Sequence, residues 1–134
     1  LLSILSSIAY NKVIGLTETD FMFKKKTVVI YAEKNGREPF LEWLTSLKDR
    51  TFRARIRNRI SRLELGHFGD CEPIGEGIFE LRFFFGPGFR VYFAKHEDTT
   101  ILLLGGGDKK TQAKDILKAK NCWKKFKETE NEKI

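Results

Sequence analysis

The run Ile78–Lys95, IFELRFFFGPGFRVYFAK, decides how this chain folds. Ile78 to Phe85 and Phe89 to Lys95 are aromatic and β-branched, and Gly86-Pro87-Gly88 separates them, the pattern of two strands joined by a turn. Phe79, Leu81 and Phe83 alternate along the first strand, and Phe89, Val91 and Phe93 along the second. For both apolar sets to share a face, the numbers of paired residues must sum to an even value. A three-residue loop meets this by setting Phe85 against Phe89, Arg82 against Tyr92 and Phe84 against Arg90. Glu80, Arg82, Phe84, Arg90 and Tyr92 are then expected together on the face away from the core.

After the hairpin, the turn His96-Glu97-Asp98 leads to Thr99–Leu104, apolar in its second half as a strand buried on both faces would be. Gly105-Gly106-Gly107 is expected to end it. A helix opens near Asp108 with Ala113, Ile116, Ala119, Trp123 and Phe126 on its apolar stripe. Before the hairpin, Gly66 to Gly75 reads as a loop from its Gly, Pro and Asp content. Two helices precede it. One begins at Pro39 and carries Phe40, Trp43, Leu44 and Leu47 at helical spacing; the other runs from about Thr51 to Leu65 and stops at Gly66. Thr27 to Tyr31 is a short β-branched strand. The order β-α-α-β-β-β-α predicts an α+β domain: a small, mostly antiparallel sheet with two N-terminal helices and a C-terminal helix against one side.

The chain has 134 residues, of which 41% are hydrophobic and 12 are Phe, enough to bury a core in one domain. Two cysteines, Cys71 and Cys122, cannot build a disulfide framework and read as thiols of a cytoplasmic protein. No apolar run approaches the roughly 18–20 residues of a membrane span. Leu1 to Tyr10 is apolar but lacks the basic start and cleavage pattern of a signal peptide. Residues 1–21 therefore read as an extension upstream of a misplaced start codon, with a short docking helix as the alternative. The working domain is expected to span 22–134 from Met22, the single methionine.

The charge of +7, from 25 Lys and Arg against 18 Asp and Glu, points to an acidic partner, nucleic acid first. On the second helix Phe52, Ile56, Ile60 and Leu63 form an apolar stripe. Arg50, Arg53 and Arg57 flank it on one side, and Arg55, Arg59 and Arg62 on the other. This surface reads either as a solvated face whose arginine stems cover core edges, or as a contact for RNA, the ribosome or an acidic protein. His67 and His96 lack ligand partners at helical or strand spacing, so neither a metal site nor a cofactor is expected. Gly105-Gly106-Gly107-Asp108 resembles a phosphate cradle at a helix N-terminus without the Walker spacing. Arg82 and Arg90 from the hairpin, with Lys109 and Lys110 after the glycines, supply the forks and charges that a phosphate needs. Phe84 and Tyr92 could stack an unpaired base, and no recognition-helix signal suggests duplex DNA.

Gly69-Asp70, GIFELR (Gly77–Arg82), GPGFRVYF (Gly86–Phe93) and LLLGGGDKKTQAKDI (Leu102–Ile116) with Trp123 resemble the HigB-like addiction module killer proteins of the RelE/ParE toxin superfamily. The resemblance runs from about Thr27 to Phe126. It implies a compact RelE-like fold and a type II toxin that cleaves mRNA on the ribosome. It also implies silencing by a small helix-turn-helix antitoxin. Arg82 and Arg90 match the positions that superfamily toxins use on the scissile phosphate, and Lys109 and Lys110 match the basic pair after the glycines. Phe89 stands where tyrosine is frequent, which removes a hydroxyl, and His67 where asparagine is.

Metal-independent RNA cleavage needs a base for the 2′-hydroxyl, charge stabilisation at the phosphorane and an acid for the leaving 5′-oxygen. Guanidinium holds its proton, so Arg82 and Arg90 suit charge stabilisation. Lys109 or Lys110, crowded by other cations, is a candidate base or acid. Glu80 is a candidate base or the salt-bridge partner that orients Arg90 or Arg82, and Tyr92 a proton donor or a stacking platform. Two alternatives stand beside the endoribonuclease: a ParE-like gyrase inhibitor that leaves RNA intact, and an inactive remnant that only binds its antitoxin.

Overall fold

The structure, a computed structural model, describes residues 25–132; the extension expected over 1–21 lies outside the described residues. The elements follow in the order β1 (Thr27–Ile30), α1 (Pro39–Ser46), α2 (Arg50–Glu64), β2 (Cys71–Gly75), β3 (Ile78–Arg82), β4 (Arg90–His96), β5 (Thr100–Gly107) and α3 (Gln112–Glu132). The five strands form one sheet in the order β1-β5-β4-β3-β2. β1 runs parallel to β5, and the other pairs are antiparallel. The fold is α+β, as the pattern predicts.

Helices cover both faces of the sheet, not one. Leu81, Phe83, Phe89, Val91, Phe93, Ile101 and Leu103 pack against Phe40 and Leu44 of α1 and Ile56 and Leu63 of α2. On the opposite face Ile78, Tyr92, Ala94, Leu102 and Leu104 pack against Ala119, Cys122 and Trp123 of α3, with Tyr31 alongside. The even-numbered hairpin face is thus a second core. Tyr92 is fully buried there and Glu80 is 3% exposed, so neither presents itself to solvent as the alternation suggested. Ala113, expected on the buried stripe of α3, is exposed.

β2 is the strand absent from the predicted order. Cys71, Glu72 and Pro73 lie opposite Leu81, Glu80 and Phe79, and the register shifts between Pro73 and Gly75. A proline cannot donate to a ladder, but on an outer strand one side needs no partner, so CEPIG can pair with β3 despite its loop-like composition.

The hairpin keeps the even parity but is shifted by two residues: Arg82 lies opposite Arg90, and Glu80 opposite Tyr92. The strands stop there, and 83–89 form a wide loop closed by the Phe83 N–H donating to the Phe89 carbonyl at 3.1 Å. Burial of its phenylalanines explains the width. Phe85 stacks on Phe52 of α2 with ring centroids 5.5 Å apart, and Phe89 meets Phe52 and Trp43 edge-on at 5.3 and 5.9 Å. A three-residue turn would draw these rings away from the two helices.

Local signals set the helix ends. Asp49 caps α2, its Oδ1 accepting from the Thr51 and Phe52 N–H groups at 2.8 and 3.2 Å. Gly66 follows with φ +82°, the left-handed conformation that ends helices at little cost in glycine. Gly105–Gly107 do not form a turn or a phosphate cradle; they are the end of β5, opposite Tyr92, Val91 and Arg90. Close packing explains two of these glycines. A Cβ on Gly106 would fall inside the Trp43 indole, and one on Gly107 would fall on the Asp115 carboxylate.

Candidate functional site

Arg82 ends β3 and Arg90 begins the neighbouring β4, so the two guanidiniums share the open end of the hairpin. Together with Lys109, Asp70, Phe83, Phe84, Gly86 and Gly88 they line a cleft of about 560 Å³. Lys109 arrives from the segment after β5, its Cβ close against Gly88. Three of the four expected phosphate-binding cations thus converge. Lys110 is exposed and does not line the cleft; its backbone N–H donates to Asp108 Oδ1 at 2.8 Å as part of the cap that starts α3.

Carboxylates hold both arginines. Asp70 grips Arg82 with two oxygens, Nε to Oδ2 at 3.1 Å and Nη2 to Oδ1 at 2.8 Å, and Glu72 Oε1 takes a further bond from Nη2 at 2.8 Å. These bonds raise the Arg82 pKa and hold the Asp70 carboxyl below its usual range. Nη1 of Arg82 has no protein partner among the described residues. Arg90 is more enclosed. Its Nη1 donates to the Gly88 and Phe89 carbonyls at 3.0 and 3.3 Å, and its Nε lies 3.6 Å from Glu80 Oε1.

Glu80 is fixed in turn by Gln112 at the start of α3, whose Nε2 donates to Oε2 at 2.7 Å. Glu80 is thus a buried ion-pair partner of Arg90 and does not line the cleft, an arrangement that fits the orienting one of its two expected roles. Tyr92 lies beside it, its hydroxyl buried next to the Glu80 carboxylate. Burial, then the neighbouring Glu80 charge, pushes its pKa up. A ring fully enclosed by α3 cannot stack a base or meet a substrate.

The arginines of α2 divide by what they touch. Arg59 is half-buried and tied to three carbonyls: Nη1 to Arg82 at 2.8 Å, and Nη2 to Phe68 and Asp70, both at 3.2 Å. It is a brace for the site, its guanidinium lying over the Phe83 ring at 5.1 Å. Arg53 donates to the Leu47 carbonyl and closes the α1–α2 corner. Arg55 covers the Phe85 ring at 3.9 Å. Arg55 and Arg62 line a second groove of about 350 Å³ with Asn58, Arg59 and Phe83–Phe85. Arg57 and His67 are exposed and line neither cleft. His96 belongs to β4, not to a turn, and packs edge-on against Phe126 at 5.0 Å.

Sequence reasoning missed Asp70, Glu72 and Gln112 as members of this site. Their partners lie 12, 10 and 32 residues away, and no local pattern announces such pairings. The one available hint for Asp70 was its place beside a glycine directly before a strand able to pair with β3.

The profile of the family described as phage derived protein Gp49-like (DUF891) matches residues 42–125, which include every residue of the Arg82–Arg90–Lys109 cleft. The chain belongs to this family. The Gp49-like family is related to type II toxin–antitoxin systems and is a toxin family, with an antitoxin as the associated partner. An uncharacterized protein of Haemophilus influenzae (strain ATCC 51907 / DSM 11121 / KW20 / Rd) is 48% identical over 81 residues, 60% of this chain and 82% of that protein. In this Gp49-like chain no described helix is long and apolar enough to cross a membrane.

Proposed function

We propose that this protein is the toxin of a type II pair and an endoribonuclease that cuts mRNA on the ribosome, as HigB-like and RelE toxins do. The convergence of Arg82, Arg90 and Lys109 on one open cleft carries the reading. Cleavage proceeds by attack of a ribose 2′-oxygen on the adjacent phosphorus and rupture of the bond to the 5′-oxygen. The products are a 2′,3′-cyclic phosphate and a 5′-hydroxyl. The 2′-hydroxyl loses a proton and the leaving oxygen gains one. Negative charge accumulates on the phosphorane between these events, and fixed guanidinium donors are the groups suited to it.

Asp70, Glu72 and Glu80 hold the two forks in position before substrate arrives, so little orientation is lost on binding. Lys109 is the lining group suited to proton transfer, because Asp70, locked to Arg82, is a weak base. A helix-turn-helix antitoxin is the proposed silencing partner and the cytoplasm the site of action. Induced expression should arrest growth and leave transcripts with new 5′ ends inside codons. Intact transcripts with double-strand DNA breaks would contradict this reading in favour of gyrase inhibition, and unimpaired growth would mark an inactive remnant.

A further inference from the structure

We infer that the groove beside the phosphate cleft is a second nucleotide subsite of the same single-stranded RNA path: Phe84 stacks the neighbouring base, and Arg55 and Arg62 take the next phosphate. This rests on the proposed endoribonuclease reading and adds to it the contact that sets how RNA crosses the protein.

Phe84 is 86% exposed, an unusual position for a large ring beside an arginine-rich helix. It lines two clefts at once. The Arg82–Arg90–Lys109 cleft lies on one side, and the groove lined by Arg55, Asn58 and Arg62 on the other, with Phe83 and Phe84 common to both. The order along the surface is cation, ring, cation. A single strand offers the complementary order of phosphate, base, phosphate, and every base has a face that can stack on an aromatic ring.

The ring is also well supported. Phe83 and Phe85 on either side are anchored in the core, and the Arg59 and Arg55 guanidiniums lie over them. An acidic helical partner would instead seek a strip of several apolar anchors. The other large exposed apolar residues, Val29, Leu41, Leu65 and Leu117, line neither cleft.

The test uses the full chain and a fluorescein-labelled 2′-O-methyl hexanucleotide, which cannot be cleaved, read by anisotropy across a salt series. Phe84→Ala should weaken binding about 5- to 150-fold without changing the slope of log affinity against log salt. Arg55→Ala with Arg62→Ala should lower that slope by about 1.4, the value for two lost single-strand phosphate contacts. Arg62→Lys, which keeps the charge, should leave the slope as it was. These side chains are exposed, so the variants should fold, and circular dichroism checks that they do. An unchanged affinity in Phe84→Ala, an unchanged slope in the double arginine variant, or no binding by the unaltered chain overturns the proposal. Cleavage that depends on Arg82 and Arg90 while these variants bind normally would overturn the subsite alone. Altered binding without any cleavage would overturn the endoribonuclease reading alone.

Discussion

Asp70 holds Arg82 through two oxygens at the mouth of the cleft, and its depressed pKa ties that grip to pH. A carboxyl whose pKa is lower folded than unfolded contributes its full stability above the unfolded value, about 4. The contribution disappears as pH falls through the lower folded value. Unfolding monitored between pH 6 and 2 should therefore show stability falling on the acid side, and Asp70→Asn should flatten that limb. Gln112 is the second residue on which the site depends. Removing it takes a hydrogen bond from the buried Glu80 carboxylate, so Gln112→Ala should cost about 1.5–3 kcal/mol in a urea melt. Gln112→Glu should cost more, since it sets two carboxylates side by side. Neither contact could be read from the chain. Proximity of residues 12 and 32 positions apart is a product of the fold.

At the scale of elements, α2 shows how a helix crowded with arginine persists. Its apolar stripe buries Ile56 and Leu63, while Arg53, Arg55 and Arg59 spend their charges on carbonyls and ring faces instead of repelling one another in solvent. Asp49 is its cap and the first negative charge at its N-terminus, so Asp49→Ala should destabilise the domain by about 1 kcal/mol in denaturant titration. The helix was legible from apolar spacing and from Gly66, because both signals are local. The parity of the hairpin was legible for the same reason. Its register was not: Phe85 and Phe89 are drawn toward Phe52 and Trp43 on other elements, and this opens the turn. Gly105–Gly107 misled because glycine serves turns and close approaches alike. Gly106→Ala should force Trp43 from its place and cost about 1–3 kcal/mol, with a blue or red shift in tryptophan fluorescence as the local readout.

Across the whole molecule the charge of +7 is unevenly used. Arg59 and Arg53 brace the structure, Arg82 and Arg90 are held by carboxylates, and Lys109 lines the cleft. The α+β class and the cluster at the end of the hairpin were readable from pattern and composition. The second core was not, since Tyr92 is an aromatic ring with a polar tip and only the docking of α3 decides that it lies inside. The same docking buries Glu80 between Arg90 and Gln112. The direct test of the central claim is the cleavage rate of mRNA on purified translating ribosomes by the unaltered chain and by Arg82→Ala/Arg90→Ala. Loss of one preorganised donor typically lowers such rates about 10²- to 10³-fold, so the double variant should retain at most about one part in a hundred of the activity while its circular dichroism is unchanged. Cleavage by a folded double variant at the unaltered rate would contradict the assignment of the cleft as the site of RNA cleavage.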